Sequence, residues 1–163
     1  MNRLIIAIDR KRGLAKKGYM PWNIPEDEAY FTAKTKTHGG HVLSGGVTFR
    51  VAYKSHPLPG RQNYILTHDT KPIEGTTVVN DLNKFLDEFE GKDLWIAGGA
   101  AVFEQVMSAG RADEIYVTKI DADFGCDQFF PEYEKDFVLS EQSKPREQNG
   151  FHFIYQIYKK AAN

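Results

Sequence analysis

The chain has 163 residues, 41% hydrophobic and 26% charged, with a formal net charge of −1. That length suits a single domain, residues 1–163, with a core of its own. The balanced charge argues against wholesale binding to nucleic acid or to a membrane surface, either of which wants a basic excess.

Cys126 is the only cysteine, so no intrachain disulfide can form. The opening apolar run, Leu4–Ile8, is too short for a signal peptide or a membrane span, and it suits a buried first strand. A cytoplasmic location is the expectation. The segment M-P-W-N-I-P-E-D-E-A-Y-F (20–31) follows. Two prolines stiffen the approach to a helix that opens at Pro25, carries acids in its first turn and runs toward Thr37. Spacings of three and four place Asp27, Tyr30 and Phe31 on one face. A carboxylate on an aromatic wall is partly desolvated and its pKa rises. Such a group can grip an amidine-like N–C–N edge or support a proton transfer, although acids also serve helix starts structurally.

Next come a strand at His41–Leu43, a helix from Thr48 to about Lys54, and the rigid turn P-L-P-G-R (57–61). This turn presents Arg61, a guanidinium suited to bidentate capture of a carboxylate. Strands are predicted at Gln62–Thr67 and Thr76–Val79. A helix is predicted at Leu82–Phe89, capped by Asp81 and stopped by Gly91. L-W-I-A-G-G-A-A-V-F-E-Q (94–105) reads as a buried strand, a glycine pair and a helix, Ala100–Ser108, stopped by Gly110. Glycines admit close backbone approach, and the helix start offers free N–H groups to a phosphate. Strands at Ile115–Ile120, Phe137–Glu141 and Phe151–Tyr158 complete the pattern, the last entered through an Asn149-Gly150 turn. The order implies an α/β sandwich. Its eight-stranded sheet is mostly parallel, with an antiparallel C-terminal edge and about four flanking helices. Ligands of such sheets bind beyond the carboxyl ends of the strands.

The segment 20–31 is similar to x-P-W-x-[IL]-P-x-D-x-x-x-F of the dihydrofolate reductase family. That family also has P-L-P-G-R, strand–Gly-Gly–helix, the strand matched by Tyr116-Val117-Thr118-Lys119-Ile120-Asp121, and the F-P matched by Phe129-Phe130-Pro131. The ordered matches run from about residue 4 to 158. The resemblance implies NADPH-dependent reduction of dihydrofolate by hydride transfer to pterin C6 with protonation at N5. Asp27 would bind the pterin edge, Thr118 would hydrogen-bond Asp27, and Trp22 would hold a water near it. Tyr30 completes that wall, and Met20 lies on a loop that closes over the nicotinamide. The pterin slot would involve Ile5, Ile6, Ala7, Phe31, Leu58 and Ala97, with Arg61 on the glutamyl carboxylate. The cofactor would meet Ala7, Leu14, Gly45, Gly46, Val47, Thr48, Leu66, Thr67 and His68. It would also meet Gly98, Gly99, Ala100, Ala101, Val102, Phe103 and Gln105, with a cis bond between the two glycines. The same resemblance implies a monomer and a site open to antifolate inhibitors.

The chain departs from the family pattern in several places. Gly46 and Ala101 stand where basic residues commonly meet the cofactor phosphates. Each lost charge-assisted contact is worth roughly 1.5–3 kcal/mol. NADPH is therefore expected to remain favoured with weakened selectivity over NADH, and Arg50, His68 or Lys71 could substitute. Ala15, Glu28 and Ala97 alter the pocket rim, and the stretch Arg50–His56 is about two residues longer. The histidines 38, 41, 56, 68 and 152 lack metal-ligand spacing, so no metal is expected. Two other readings stay open from the residues: a same-fold pyrimidine reductase of riboflavin synthesis, and a folate or nucleotide binder without catalysis.

Overall fold

The structure, a computed structural model, describes residues 1–162. Its elements in chain order are β1 (Asn2–Ile8), β2 (Gly13–Ala15), α1 (Pro25–Thr35), β3 (His41–Gly45), α2 (Gly46–Val51), β4 (Gln62–Leu66), β5 (Thr76–Val79) and α3 (Leu82–Glu88). They continue with β6 (Leu94–Ile96), α4 (Ala100–Ser108), β7 (Glu114–Ile120), β8 (Gln128–Phe129), β9 (Phe137–Gln142), β10 (Arg146–Gln148) and β11 (Phe151–Lys160).

The main sheet has the order β10-β11-β7-β1-β6-β3-β4-β5, with β9 also pairing β11. All the pairs from β7 to β5 are parallel, and β11 runs antiparallel to β7, β9 and β10. The eight strands expected from the sequence are all present. The sheet has a ninth, β10, and a separate two-stranded piece joins β2 to β8. These short strands lack apolar alternation and are fixed by tertiary bonds. Buried Asp9 accepts the backbone N–H groups of Lys11, Gly13 and Phe124, and so shapes the loop that carries β2.

Strand alternation splits the core between the two faces of the sheet. Leu4, Ile6 and Ile8 pack with Leu82 and Leu86 of α3 and with Val102, Phe103 and Val106 of α4. Ile5, Val42 and Trp95 face the other way, toward Tyr30 and Phe31 of α1. α1 begins with Pro25 at its first position and has no side-chain cap of its own. Gln148, far away in sequence, supplies the missing acceptor to the Glu26 N–H at 2.6 Å. The helix ends at Thr35, two residues before the predicted limit, and the chain then turns through positive φ at His38, Gly39 and Gly40. α2 starts at Gly46, two residues before the predicted Thr48, and it ends before Lys54 and Ser55, both at positive φ. α3 and α4 lie where expected, with Asp81 accepting from the Lys84 N–H.

Candidate active site

α1, β1 and β7 bring the acidic cluster together. Register pairs Ala7 with Thr118, so the hydroxyl of Thr118 stands at the level where β1 approaches its end. Thr118 Oγ1 donates to Asp27 Oδ1 at 2.6 Å. Asp27 is half-buried, and loss of water pushes its pKa up to about 6. The Thr118 bond opposes that rise, and the nearby charges of Glu28 and Glu26 add to it. Tyr30 stacks on Tyr155 with ring centroids 4.0 Å apart, and burial raises the pKa of both phenols. Trp22 is buried, and its Nε1–H has no protein partner, which leaves a donor for a polar atom of a ligand or solvent.

A partly open apolar wall adjoins this carboxylate. Ile5, with Val42 and Trp95, forms a buried patch against which Tyr30, Phe31, Leu58, Ala97 and Tyr116 pack. Ile6 points to the opposite face, because neighbouring side chains on a strand alternate. Only its main chain can border the slot assigned to it from sequence.

Arg61 is held at the far end of the wall. Its Nε donates to the Pro59 carbonyl at 3.0 Å and its Nη1 to Thr35 Oγ1 at 2.9 Å. The Thr35 hydroxyl in turn donates to the Phe31 carbonyl at 2.7 Å. Buried Asn63 clamps the turn, accepting from the Leu58 N–H and donating to the carbonyls of Leu58 and Arg61. Partial burial lowers the pKa of Arg61. Thr35, Asn63 and Tyr155 were not picked out from the sequence. Their polar type alone carries no signal: Thr35 and Tyr155 act through partners distant in sequence, and Asn63 through the fold of its own turn.

The glycine positions gather at the carboxyl ends of β3, β6 and β4. Gly45 pairs with Leu66, and the Gly45 N–H donates to the Gly98 carbonyl at 2.6 Å. The Gly98-Gly99 bond is cis. A Cβ on Gly99 would lie 2.7 Å from Thr48 Oγ1, and one on Gly45 would lie 3.0 Å from Val102 Cγ2. α4 has Gly99 as its N-cap with no side-chain cap, so its first N–H groups are left without a capping acceptor in this region. Leu14 packs at the edge of the core, and Phe103 is buried edge-to-face on Phe130. Ala100 is half-buried, whereas Ala101, Gln105 and His68 are exposed. Tyr19, Met20 and Val47 are exposed at 68%, 55% and 63%. Among the described residues no group of three or more His, Cys, Asp and Glu could hold a metal. His41 Nδ1 lies 3.0 Å from the Tyr64 hydroxyl.

A Gly99→Ala substitution is expected to lower Tm by several degrees. Overpacking against Thr48 costs roughly 1–3 kcal/mol, and each kcal/mol is worth about 2–4 °C at this size. Thermal unfolding followed by circular dichroism checks this.

A sheltered carboxylate beside an open apolar wall, next to glycine-lined strand ends and an uncapped helix start, defines an α/β enzyme of the kind that brings a small heterocycle to a nucleotide cofactor. The family model described as Dihydrofolate reductase matches residues 1–160. The chain belongs to the dihydrofolate reductase family. It is 33% identical to dihydrofolate reductase of Aedes albopictus over 178 aligned positions, covering 96% of each chain. It is also 33% identical to that of Bacillus subtilis (strain 168) over 165 positions, covering 98% of this chain and 95% of that protein. A solved structure of dihydrofolate reductase from Enterococcus faecalis, complexed with NADP(H) and RAB-propyl, superposes with a TM-score of 0.85 at 27% identity, covering 99% and 97% of the two chains.

Proposed function

We propose that this chain is a dihydrofolate reductase that reduces 7,8-dihydrofolate to 5,6,7,8-tetrahydrofolate with NADPH. The observation that carries the reading is the Thr118–Asp27 pair at the open edge of the apolar wall. The fixed carboxylate accepts two hydrogen bonds from the 2-amino and N3 edge of a pterin. Phe31, Leu58 and Ala97 flank the rings, and Arg61 takes the glutamyl carboxylate with the donors it does not spend on Pro59 and Thr35.

The residues present fit a dinucleotide. The uncapped start of α4 and the close-packed Gly45, Gly98 and Gly99 suit a pyrophosphate, and Thr48, Leu66 and Thr67 border them. When bound, the nicotinamide supplies the hydride that pterin C6 receives. Asp27 stays anionic with substrate bound and raises the basicity of N5, and solvent delivers the proton there. Trp22 offers its free N–H to a water near the acid. Leu14 and the Met20 loop exclude bulk water as the loop closes.

The cation missing at residue 46 has a replacement one turn further along α2. Arg50 Nη1 lies 3.2 Å from the point where a Gly46 side chain would begin, with Thr67 Oγ1 at 3.5 Å from that point. The guanidinium lies close against the space left free by the missing side chain of Gly46. Arg50, with Thr67 and the exposed His68, therefore serves the 2′-phosphate. Arg50→Gln is expected to weaken NADPH binding tenfold or more, since a charge-assisted bond is worth roughly 1.5–3 kcal/mol, and to leave NADH binding unchanged. Quenching of protein fluorescence by each cofactor checks this, and equal weakening of both would assign Arg50 no part in selectivity.

The reading extends to a monomeric, cytoplasmic enzyme of one domain, in keeping with the single buried thiol of Cys126, and to antifolates that compete for Asp27. The test is loss of the reduced-nicotinamide absorbance band on adding dihydrofolate. Oxidation only with an aminopyrimidine substrate would favour the riboflavin-type reductase instead, and absence of oxidation with either would favour a binder.

A further inference from the structure

The hairpin formed by β10 and β11 grips the residues just ahead of Asp27. Arg146 makes a two-pronged contact with Glu26: Nε donates to Oε2 at 2.7 Å and Nη2 to Oε1 at 2.6 Å. The Tyr155 hydroxyl donates to the same Oε2 at 3.2 Å. Gln148 Oε1 accepts the Glu26 N–H at 2.6 Å, and Asn149 Nδ2 donates to the Asn23 carbonyl at 3.0 Å. Tyr155 also stacks on Tyr30 and pairs across the strands with Thr118, the residue that bonds Asp27. Four residues of one hairpin thus meet the N-terminus of α1 from outside.

An isolated surface ion pair is worth little. Here the pair is bidentate, sits in a network, and involves the sequence neighbour of the site's carboxylate. We propose that the Glu26–Arg146 clasp is a positioning device for Asp27: it fixes the first turn of α1 and offsets part of the negative charge of Glu26 beside the site. This rests on the role given to Asp27 above, but its test does not depend on turnover.

The other charged or titratable groups around Asp27 are Glu28 and Tyr30 on α1, Tyr116 on β7 and Tyr155 on β11. Glu141 of β9 acts on Tyr30 and Tyr116, and Lys34 lies over both of those rings. Glu26 is the one of these that carries a cationic clasp. Without the cation, Glu26 faces Asp27 as an uncompensated like charge at a partly solvated, screened site, where a shift of about half a pH unit is expected.

The experiment follows the carboxyl carbon of Asp27 by NMR in aspartate-labelled, ligand-free protein, the resonance being identified by its loss in Asp27→Asn. Arg146→Ala is expected to raise the titration midpoint of Asp27 by about half a unit, and by less at high salt. Arg146→Lys should leave it near the parent value. Glu26→Gln with Arg146→Ala should return it to the parent value or below. An unmoved midpoint in Arg146→Ala, or a double variant that titrates as high as Arg146→Ala alone, would overturn the proposal. Absence of dihydrofolate reduction in the parent protein would instead strike the functional reading and leave the clasp's electrostatics measurable.

Discussion

Arg61→Leu is expected to raise KM for dihydrofolate roughly tenfold to a hundredfold, with a much smaller change in kcat. The guanidinium is held by Pro59 and Thr35, and the turn beneath it by Asn63. It is therefore preset for a carboxylate and loses little freedom on binding. Removing one charge-assisted contact costs roughly 1.5–3 kcal/mol, and each 1.4 kcal/mol is a factor of ten. The contact is remote from the reacting atoms, so the loss falls on ground state and transition state alike. Steady-state kinetics with dihydrofolate and with a dihydropterin lacking the glutamyl tail check this. The short substrate should be insensitive to the substitution, and an equal loss with both would place the defect in the fold of the 57–61 turn.

Asp27→Asn is expected to lower kcat/KM roughly a hundredfold to ten-thousandfold at neutral pH, the usual range for a lost acid–base group. Activity should partly return in acid, where solution already protonates the substrate. The same substitution is expected to stabilise the protein. The Asp27 carboxyl is raised from 3.8 to about 6 by burial. The folded state thus holds its proton more tightly than the unfolded chain does. That advantage is full below about pH 4 and is lost as pH rises through about 6. An asparagine keeps the Thr118 hydrogen bond and escapes the loss. Asp27→Asn should therefore raise Tm by at least about 2 °C at pH 7–8 and give no such gain near pH 4. Thermal scans at the two pH values check the sign.

Asp27 and Arg61 stand out because each sits in a proline-marked segment that resembles a family motif; the residues alone leave a helix-start acid and a turn arginine open to purely structural roles. The strand–helix order likewise followed from apolar runs and turn residues. The parts that were not legible depend on contacts across the sheet. Tyr155 matters because the β7–β11 register sets it opposite Thr118, and nothing in F-H-F-I-Y-Q-I-Y shows that register. Thr35 acts through a helix end and a turn that meet only in three dimensions, and Asn63 through side-chain bonds within that turn. Ile5 and Ile6 lie on opposite faces of the sheet, and alternation leaves only the Ile5 side chain on the side of Tyr30 and Phe31. β2, β8 and β10 are too short to carry a period. The sequence offers Arg50, His68 and Lys71 alike near the cation missing at Gly46, and only the fold brings the Arg50 guanidinium beside Gly46.

The most direct test is a single turnover of protein preloaded with NADPH and mixed with dihydrofolate at neutral pH, parent against Asp27→Asn. The parent should oxidise the nicotinamide in one burst that slows as pH rises, and the variant should react at least a hundredfold more slowly. A variant that matches the parent rate would mean that hydride transfer proceeds without the carboxylate of α1.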